Sequence, residues 1–396
     1  MMKHKILYLP CFVYAVSFAS ILLLYQVGWS DLFPKLDGYL LYFLFSTIVL
    51  SLILSFIQFK TLNIKTNEVN LKSSFVKRAL IFIIIGYSLE FLYERSIPIV
   101  STILNSYYSY QDFDGIPTFH VILSTFNIFF SILMFNFYLS KKKLKNLFCF
   151  ILTLFPYILT LNRGAFMIVF SAMIFIFLMR LQTISLKTFI RPITVLVIVL
   201  YFFGVVGNFR QEQTKDDKEF LLRKGGATDT FINNGVPGEF YWSYIYLISP
   251  MGNLQNIVNE KEDIFDENNI GIFAATQLFP DFISKRLVSL FGYGDKIENS
   301  NGVYYLVTPL LNAPTIYFAS YFFLGFIGLF IMYIIMMISA LMYPFLVKKN
   351  SVYYCTALAS LNSLILLCTF NNMWYATGTI LFWPIIMDVI DRVKFK

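Results

Sequence analysis

A succession of apolar stretches restricts this chain more than any other feature, because each is about as long as the roughly 20 residues a helix needs to cross a bilayer core. They fall at 6–28, 38–57, 79–93, 118–139, 147–161, 164–179, 190–207, 317–346, 352–369 and 374–390. Backbone without internal hydrogen bonds is not tolerated in hydrocarbon, so these stretches read as helices of an all-α polytopic membrane protein with about ten transmembrane helices. Charged residues make up 14% of the chain and hydrophobic ones 58%, whereas an ordinary globular domain is roughly 25% charged. That excludes a soluble fold. The apolar wall around Leu196 stops at Gly207-Asn208-Phe209-Arg210. From there to Thr315 no spanning helix is expected, so the chain divides into seven membrane helices (1–207), a large polar loop with interfacial helices (208–315) and three more membrane helices (316–396).

The basic residues give the orientation. With both termini on the inner side, most of the Lys and Arg fall in inner connections, among them Lys60, Lys72, Lys77, Arg78, Lys141, Lys142, Lys143, Arg180, Lys348 and Lys349. Short-loop Lys and Arg set topology, so the large loop is expected on the outer face. The net charge of +8 then reflects contact with anionic inner-leaflet lipid, and no nucleic-acid partner is implied. Met1-Met2-Lys3-His4-Lys5 ahead of a long apolar run reads as a retained first helix, not a cleaved leader. Cys11, Cys149, Cys355 and Cys368 all lie within apolar stretches and read as small core residues.

Several chemistries lack their residues. There is no glycine-rich phosphate loop, no Gly-x-Ser-x-Gly elbow and no His-Glu-x-x-His pair, which removes the support for nucleotide-binding, serine-hydrolase and zinc-protease readings. Only Glu68, Asp388 and Asp391 are acidic on the inner side, too few for a metal-dependent enzyme using nucleotide sugars. His120 is the one histidine beyond the N-terminal tail, so a histidine metal cage is excluded and neither a metal nor a cofactor is expected. Asp266 to Gly271 resembles a calcium loop faintly, but Ile270 and Gln277 occupy ligand positions. The acidic run Glu260, Glu262, Asp263, Asp266 and Glu267 reads as a solvated face.

Candidate chemistry gathers at the outer edge. Arg163, in Leu161-Asn162-Arg163-Gly164, sits in a turn between two apolar stretches; it either snorkels to the interface or binds an anion approaching beside Gly164. Arg210 repeats the pattern after helix seven, with a helix-terminal cation as the alternative, and Arg286 is a third candidate anion ligand. Guanidinium forks grip two phosphate oxygens at once. Glu90 lies late in helix three, four residues before Glu94, and Arg95 is read as either neutralising Glu94 or binding substrate. His120 suits proton transfer near neutrality. Tyr241, in the aromatic stretch Glu239 to Tyr246, reads as part of an interfacial belt or a sugar platform.

The segments Glu90 to Pro98, Gly115-Ile116-Pro117 to His120, Asn162-Arg163-Gly164, Gly207-Asn208-Phe209-Arg210 and Thr315 to Gly328, set in this topology, resemble the O-antigen polymerase (Wzy) family of oligosaccharide repeat-unit polymerases. The resemblance implies a GT-C-like glycosyltransferase of the bacterial inner membrane that works at its periplasmic face. Its donor and acceptor would be undecaprenyl-diphosphate-linked glycans, with a chain-length regulator as a further protein partner. By position, Arg163, Arg210, Arg286, Arg95 and Tyr241 would bind substrate, and Glu90 or His120 would deprotonate the attacking hydroxyl. An O-antigen ligase would share the topology and the Arg-Gly turn. A flippase or other transporter is the alternative from another class, although the unequal halves of the chain lack the paired repeats typical of transporters.

Overall fold

The first membrane helix begins later than its apolar stretch. In the computed structural model, which describes residues 3–62, 64, 66, 68–105, 108–109, 113–181, 194, 197–198, 200–201, 205, 220–294 and 305–394, a 3-10 turn over Lys3–Tyr8 precedes α1 (Pro10–Gln26). A proline ring fits the first turn of a helix and clashes in its interior, so Pro10 sets the start that the apolar pattern places at residue 6. Next come α2 (Gly38–Thr61) and α3 (Ser73–Glu94). Asp37 caps α2 by accepting from Tyr39 N at 2.7 Å. The third helix starts before the expected residue 79 because Lys77 and Arg78, strong helix formers, extend it beyond the apolar stretch. A short helix that the hydropathy does not announce, α4 (Pro98–Leu104), is followed by α5 (Phe119–Lys141), α6 (Leu144–Leu159) and α7 (Arg163–Arg180).

The second half begins with α8 (Glu239–Glu260), α9 (Ile270–Gln277) and α10 (Asp281–Phe291). It ends with α11 (Phe318–Leu346), α12 (Tyr354–Leu367), α13 (Met373–Thr377) and α14 (Phe382–Lys394). Among the described residues there is no β-strand, only an isolated bridge between Ser30 and Ala227. Five segments are long and apolar enough to cross a membrane: α2, α5, α7, α11 and Met373–Val393. Three shorter apolar helices, α1, α6 (Leu144–Leu159) and α12, accompany them. The chain is therefore an all-helical, integral membrane protein. The expected helix at 190–207 lies largely outside the described residues, and so does Arg210.

Helix α12 sits at the centre, packed against α1, α5 and α7. Polar side chains fasten these contacts where apolar burial gives no preference over lipid. Ser171 and Ser363 share a 2.5 Å hydrogen bond between α7 and α12, and Asn362 Nδ2 donates to Tyr8 O at 2.8 Å. Buried Gln58 links three segments, accepting from Cys11 N at 3.0 Å and donating to Ala340 O at 2.9 Å. All four cysteines are buried, and none forms a disulfide.

Residues 27–37 and Thr118 share one end of the bundle with α8 and α10. At that end α8 lies along the α1–α2 connection. Tyr244 OH accepts from Trp29 N at 3.0 Å, Gly252 lies against the Phe33 ring, and Gln255 Oε1 accepts from Asp37 N at 2.7 Å. Successive positions of α8 thus follow successive positions of the connection, which lays the helix across the ends of α1 and α2.

Helix α11 is broken. Gly325 has φ 60° and ψ −149° within it, a region open essentially to glycine alone. Asp263 Oδ1 accepts from Phe326 N at 2.9 Å and so caps the second half-helix. The acidic run is therefore more than a solvated face: Asp263 caps α11, and Asp266 Oδ1 accepts from Asn268 N at 2.9 Å in a local turn.

Candidate active site

Glu90 and His120 meet at the loop-bearing end of the bundle. Glu90 is the buried residue of the last turn of α3, with no exposed surface. His120 is the second residue of α5 and keeps 26% of its side chain exposed. Its Nδ1 stands 3.1 Å from Glu90 Oε1 and 3.0 Å from Oε2. A carboxylate excluded from water costs free energy unless it is paired, and the imidazole is the partner that lies within reach. The tautomer that donates from Nδ1 to this carboxylate leaves Nε2 as the acceptor nitrogen of the ring.

The backbone between the two helices makes this pair possible. Gly115 has φ +67°, and a Cβ there would stand 2.7 Å from His120 Nδ1 and 3.0 Å from Glu90 Oε1. Thr118, which precedes α5, has φ 67° and ψ −43°, an outlying conformation for a β-branched residue. Its hydroxyl accepts from Arg286 Nη2 at 2.8 Å. Arg286 lies on α10 and also donates to Phe282 O, with its guanidinium over the Phe282 ring. The large loop thus reaches back to within two residues of His120.

The same helix fixes a second polar group. Asp281, in the first turn of α10, accepts from Tyr375 OH at 2.7 Å and pairs with Lys285 Nζ at 2.9 Å. Asn372 Nδ2, which precedes α13, donates to Gln277 O at 2.8 Å. Together these contacts hold α10 and α13 over the end of the bundle beside α5. Sequence reading leaves this group unmarked, although Pro280-Asp281 is a helix-start signal that places Asp281 and Lys285 on one face.

The other sequence candidates are placed as follows. Arg163 is the exposed first residue of α7, in a turn with Leu161 at φ 53°. Asn162 Oδ1 caps that helix by accepting from Ala165 N at 2.9 Å. A cation at a helix N-terminus adds to the positive end of the dipole, so Arg163 concentrates positive potential there. Arg95 is exposed at the left-handed C-terminal cap of α3, φ 53°, with no ion pair to Glu94 among the described residues. The left-handed turn carries its side chain out of line with the helix, which is why the expected neutralisation of Glu94 does not form. Tyr241 is fully buried; its hydroxyl donates to Gly225 O at 2.6 Å and its ring lies 4.8 Å from that of Phe231. Burial pushes the Tyr241 hydroxyl up to about 12, so it remains a donor. Among the described residues no three His, Cys, Asp or Glu side chains come together as metal ligands.

No curated protein and no solved structure matches the chain. The family model described as O-antigen polysaccharide polymerase Wzy matches residues 12–279. That match spans more than half of the sequence and includes α3, the Gly115 turn, α5 and the Arg163 turn, stopping just short of Asp281. On this match the chain belongs to the O-antigen polysaccharide polymerase Wzy family.

Proposed function

We propose that this protein joins lipid-linked oligosaccharide repeat units into O-antigen or a related surface polysaccharide, and that the Glu90–His120 pair supplies its base. The observation that carries this reading is the buried carboxylate holding an accessible imidazole at the membrane end where the large loop closes over. A sugar hydroxyl of the acceptor attacks the anomeric carbon of the donor glycan. His120 Nε2 takes the hydroxyl proton as the new glycosidic bond forms. The bond from the anomeric carbon to the lipid diphosphate breaks, and the diphosphate leaves with the electron pair. Glu90 stabilises the imidazolium that results, as a carboxylate does for a general-base histidine.

Departing diphosphate charge is met by arginine. Arg163 lies at the same end of the bundle, and Arg286 bonds a neutral hydroxyl that a phosphate oxygen replaces at a gain, since charge-assisted hydrogen bonds are roughly twice as strong as neutral ones. Arg210 would join them from the end of helix seven. Such electrostatic stabilisation is usually the largest catalytic contribution. Tyr241 serves the sugar side by fixing the wall formed by α8.

In this reading the chain has ten spans: the five long apolar segments, the three shorter helices, α3, and the stretch at 190–207. The architecture is GT-C-like, the membrane is the bacterial inner membrane with both termini cytoplasmic, and the loop is periplasmic. A chain-length regulator is the further protein partner.

The test is lipopolysaccharide banding in a strain lacking the gene, complemented at matched expression. Wild type restores a ladder, whereas His120→Ala, Glu90→Gln and Arg163→Ala leave core bearing a single repeat unit. A null strain with no surface repeat at all would support a ligase or flippase instead, and a full ladder with His120→Ala would remove histidine from the mechanism.

A further inference from the structure

The outer end of α3 carries a groove on the side away from Glu90. Ser88, Leu92 and Arg95 are spaced i, i+4 and i+7 along it, and with Phe91, Ser96 and Ile97 they line an open, mostly apolar cavity of 640 Å³. Leu92 is 73% exposed. The apolar surface continues on Leu89 and Tyr93 and onto α4 through Val100, Ile103 and Leu104, all of them exposed. On the ten-span reading this exposed apolar surface meets lipid, so the groove opens sideways into the membrane.

Three observations specify its occupant. The lining is apolar except at the rim, where Arg95 stands exposed with no carboxylate within ion-pair distance among the described residues. An apolar floor with a guanidinium at its water-facing edge matches an amphiphile that has a hydrocarbon chain and an anionic head. The groove also continues into the active site: the Phe91 ring lies 5.8 Å from that of Phe113, which lies 6.0 Å from His120. Finally, Arg95 occupies a left-handed position, φ 53°, which non-glycine residues adopt at a cost and which turns its side chain toward the groove.

We propose that this groove seats the first isoprene units of a polyprenyl diphosphate, with Arg95 on a phosphate oxygen and the attached glycan directed past Phe113 to His120. The proposal rests on the polymerase reading for the identity of the lipid. The geometry itself requires only an anionic amphiphile, and competition by phosphatidylglycerol distinguishes the two sources. The seated lipid is the acceptor, whose diphosphate stays attached while its far sugar hydroxyl reacts, so Arg95 is distinct from the arginines that face the departing diphosphate.

The test is photolabelling of the purified full-length protein in nanodiscs with a benzophenone-bearing farnesyl diphosphate, mapped by mass spectrometry. Label is expected on residues 88–97, competed by undecaprenyl diphosphate and not by phosphatidylglycerol. Arg95→Ala should lower it about tenfold, the loss of one charged hydrogen bond of about 1.4 kcal/mol. Arg95→Lys should restore part of it. Matched thermal melting of the variants separates binding from misfolding. Equal competition by phosphatidylglycerol, labelling confined to other helices, or an Arg95→Ala variant that labels fully would each overturn the groove. Because labelling needs no polymerisation, correct labelling in a protein whose gene proves unnecessary for the ladder would retain the groove and remove the polymerase reading.

Discussion

At the residue scale, the pairing of Glu90 with His120 depends on a position that has no side chain. A Cβ at Gly115 would stand 2.7 Å from His120 Nδ1, too close to tolerate, and a tight 3.0 Å from Glu90 Oε1, and its φ of +67° is one that other residues adopt at a cost. Gly115→Ala is therefore expected to push the imidazole off the carboxylate and to destabilise the fold by about 1–2 kcal/mol. The expected outcome is loss of the ladder with only a modest fall in melting temperature. A variant that keeps full polymer length would show that Nδ1 does not need its carboxylate. The two ends of this pair were each visible in the sequence, Glu90 as an ionisable residue late in an apolar helix and His120 as the one histidine past the tail. Their contact was not, because they are 30 residues apart and the turn that joins them depends on backbone angles at Gly115 and Thr118.

At the element scale, the loop and the membrane helices are built into one another. The break in α11 at Gly325 is made by a residue without a Cβ and capped by Asp263 from the loop; an added Cβ would sit 2.1 Å from Asp263 Oδ1. Gly325→Ala should destabilise the protein by about 1–3 kcal/mol, read as a lower melting temperature in detergent, and a variant that melts as wild type would mean that the break is soft. Asp263 looked like part of a solvated acidic run because sequence shows charge without showing which amide it faces. Hydropathy likewise joined 317–346 and 374–390 into single helices, although the chain interrupts the first at Gly325 and the second with a 3-10 turn at Gly378–Leu381. Apolar composition is the same on both sides of a break, so only backbone geometry locates it.

At the scale of the whole molecule, Lys and Arg in short connections predict the orientation, and the buried state of all four cysteines makes that prediction directly measurable. Native thiols should stay silent to a membrane-impermeant maleimide in intact cells. Asn234→Cys, at an exposed loop position, should react without permeabilising the inner membrane, and Lys349→Cys, exposed at the opposite end, only after it. The reverse pattern would invert the topology and place the active-site end in the cytoplasm.

The sequence by itself determined the class of molecule: apolar stretches of bilayer length force helices, and the uneven spread of charge separates one large polar segment from the rest. It also supplied the short motifs on which the resemblance was read, because Asn162-Arg163-Gly164 and Gly115 to His120 are local and survive as text. Only the tertiary structure decided what those residues do to one another. It brought His120 to Glu90, laid α8 across the ends of α1 and α2, carried Arg286 from the loop to Thr118, and turned Tyr241 into a wall. Each of these depends on contacts between segments far apart in the chain, whose relative placement is fixed by packing and by backbone angles at a few positions, and neither is written in hydropathy or charge.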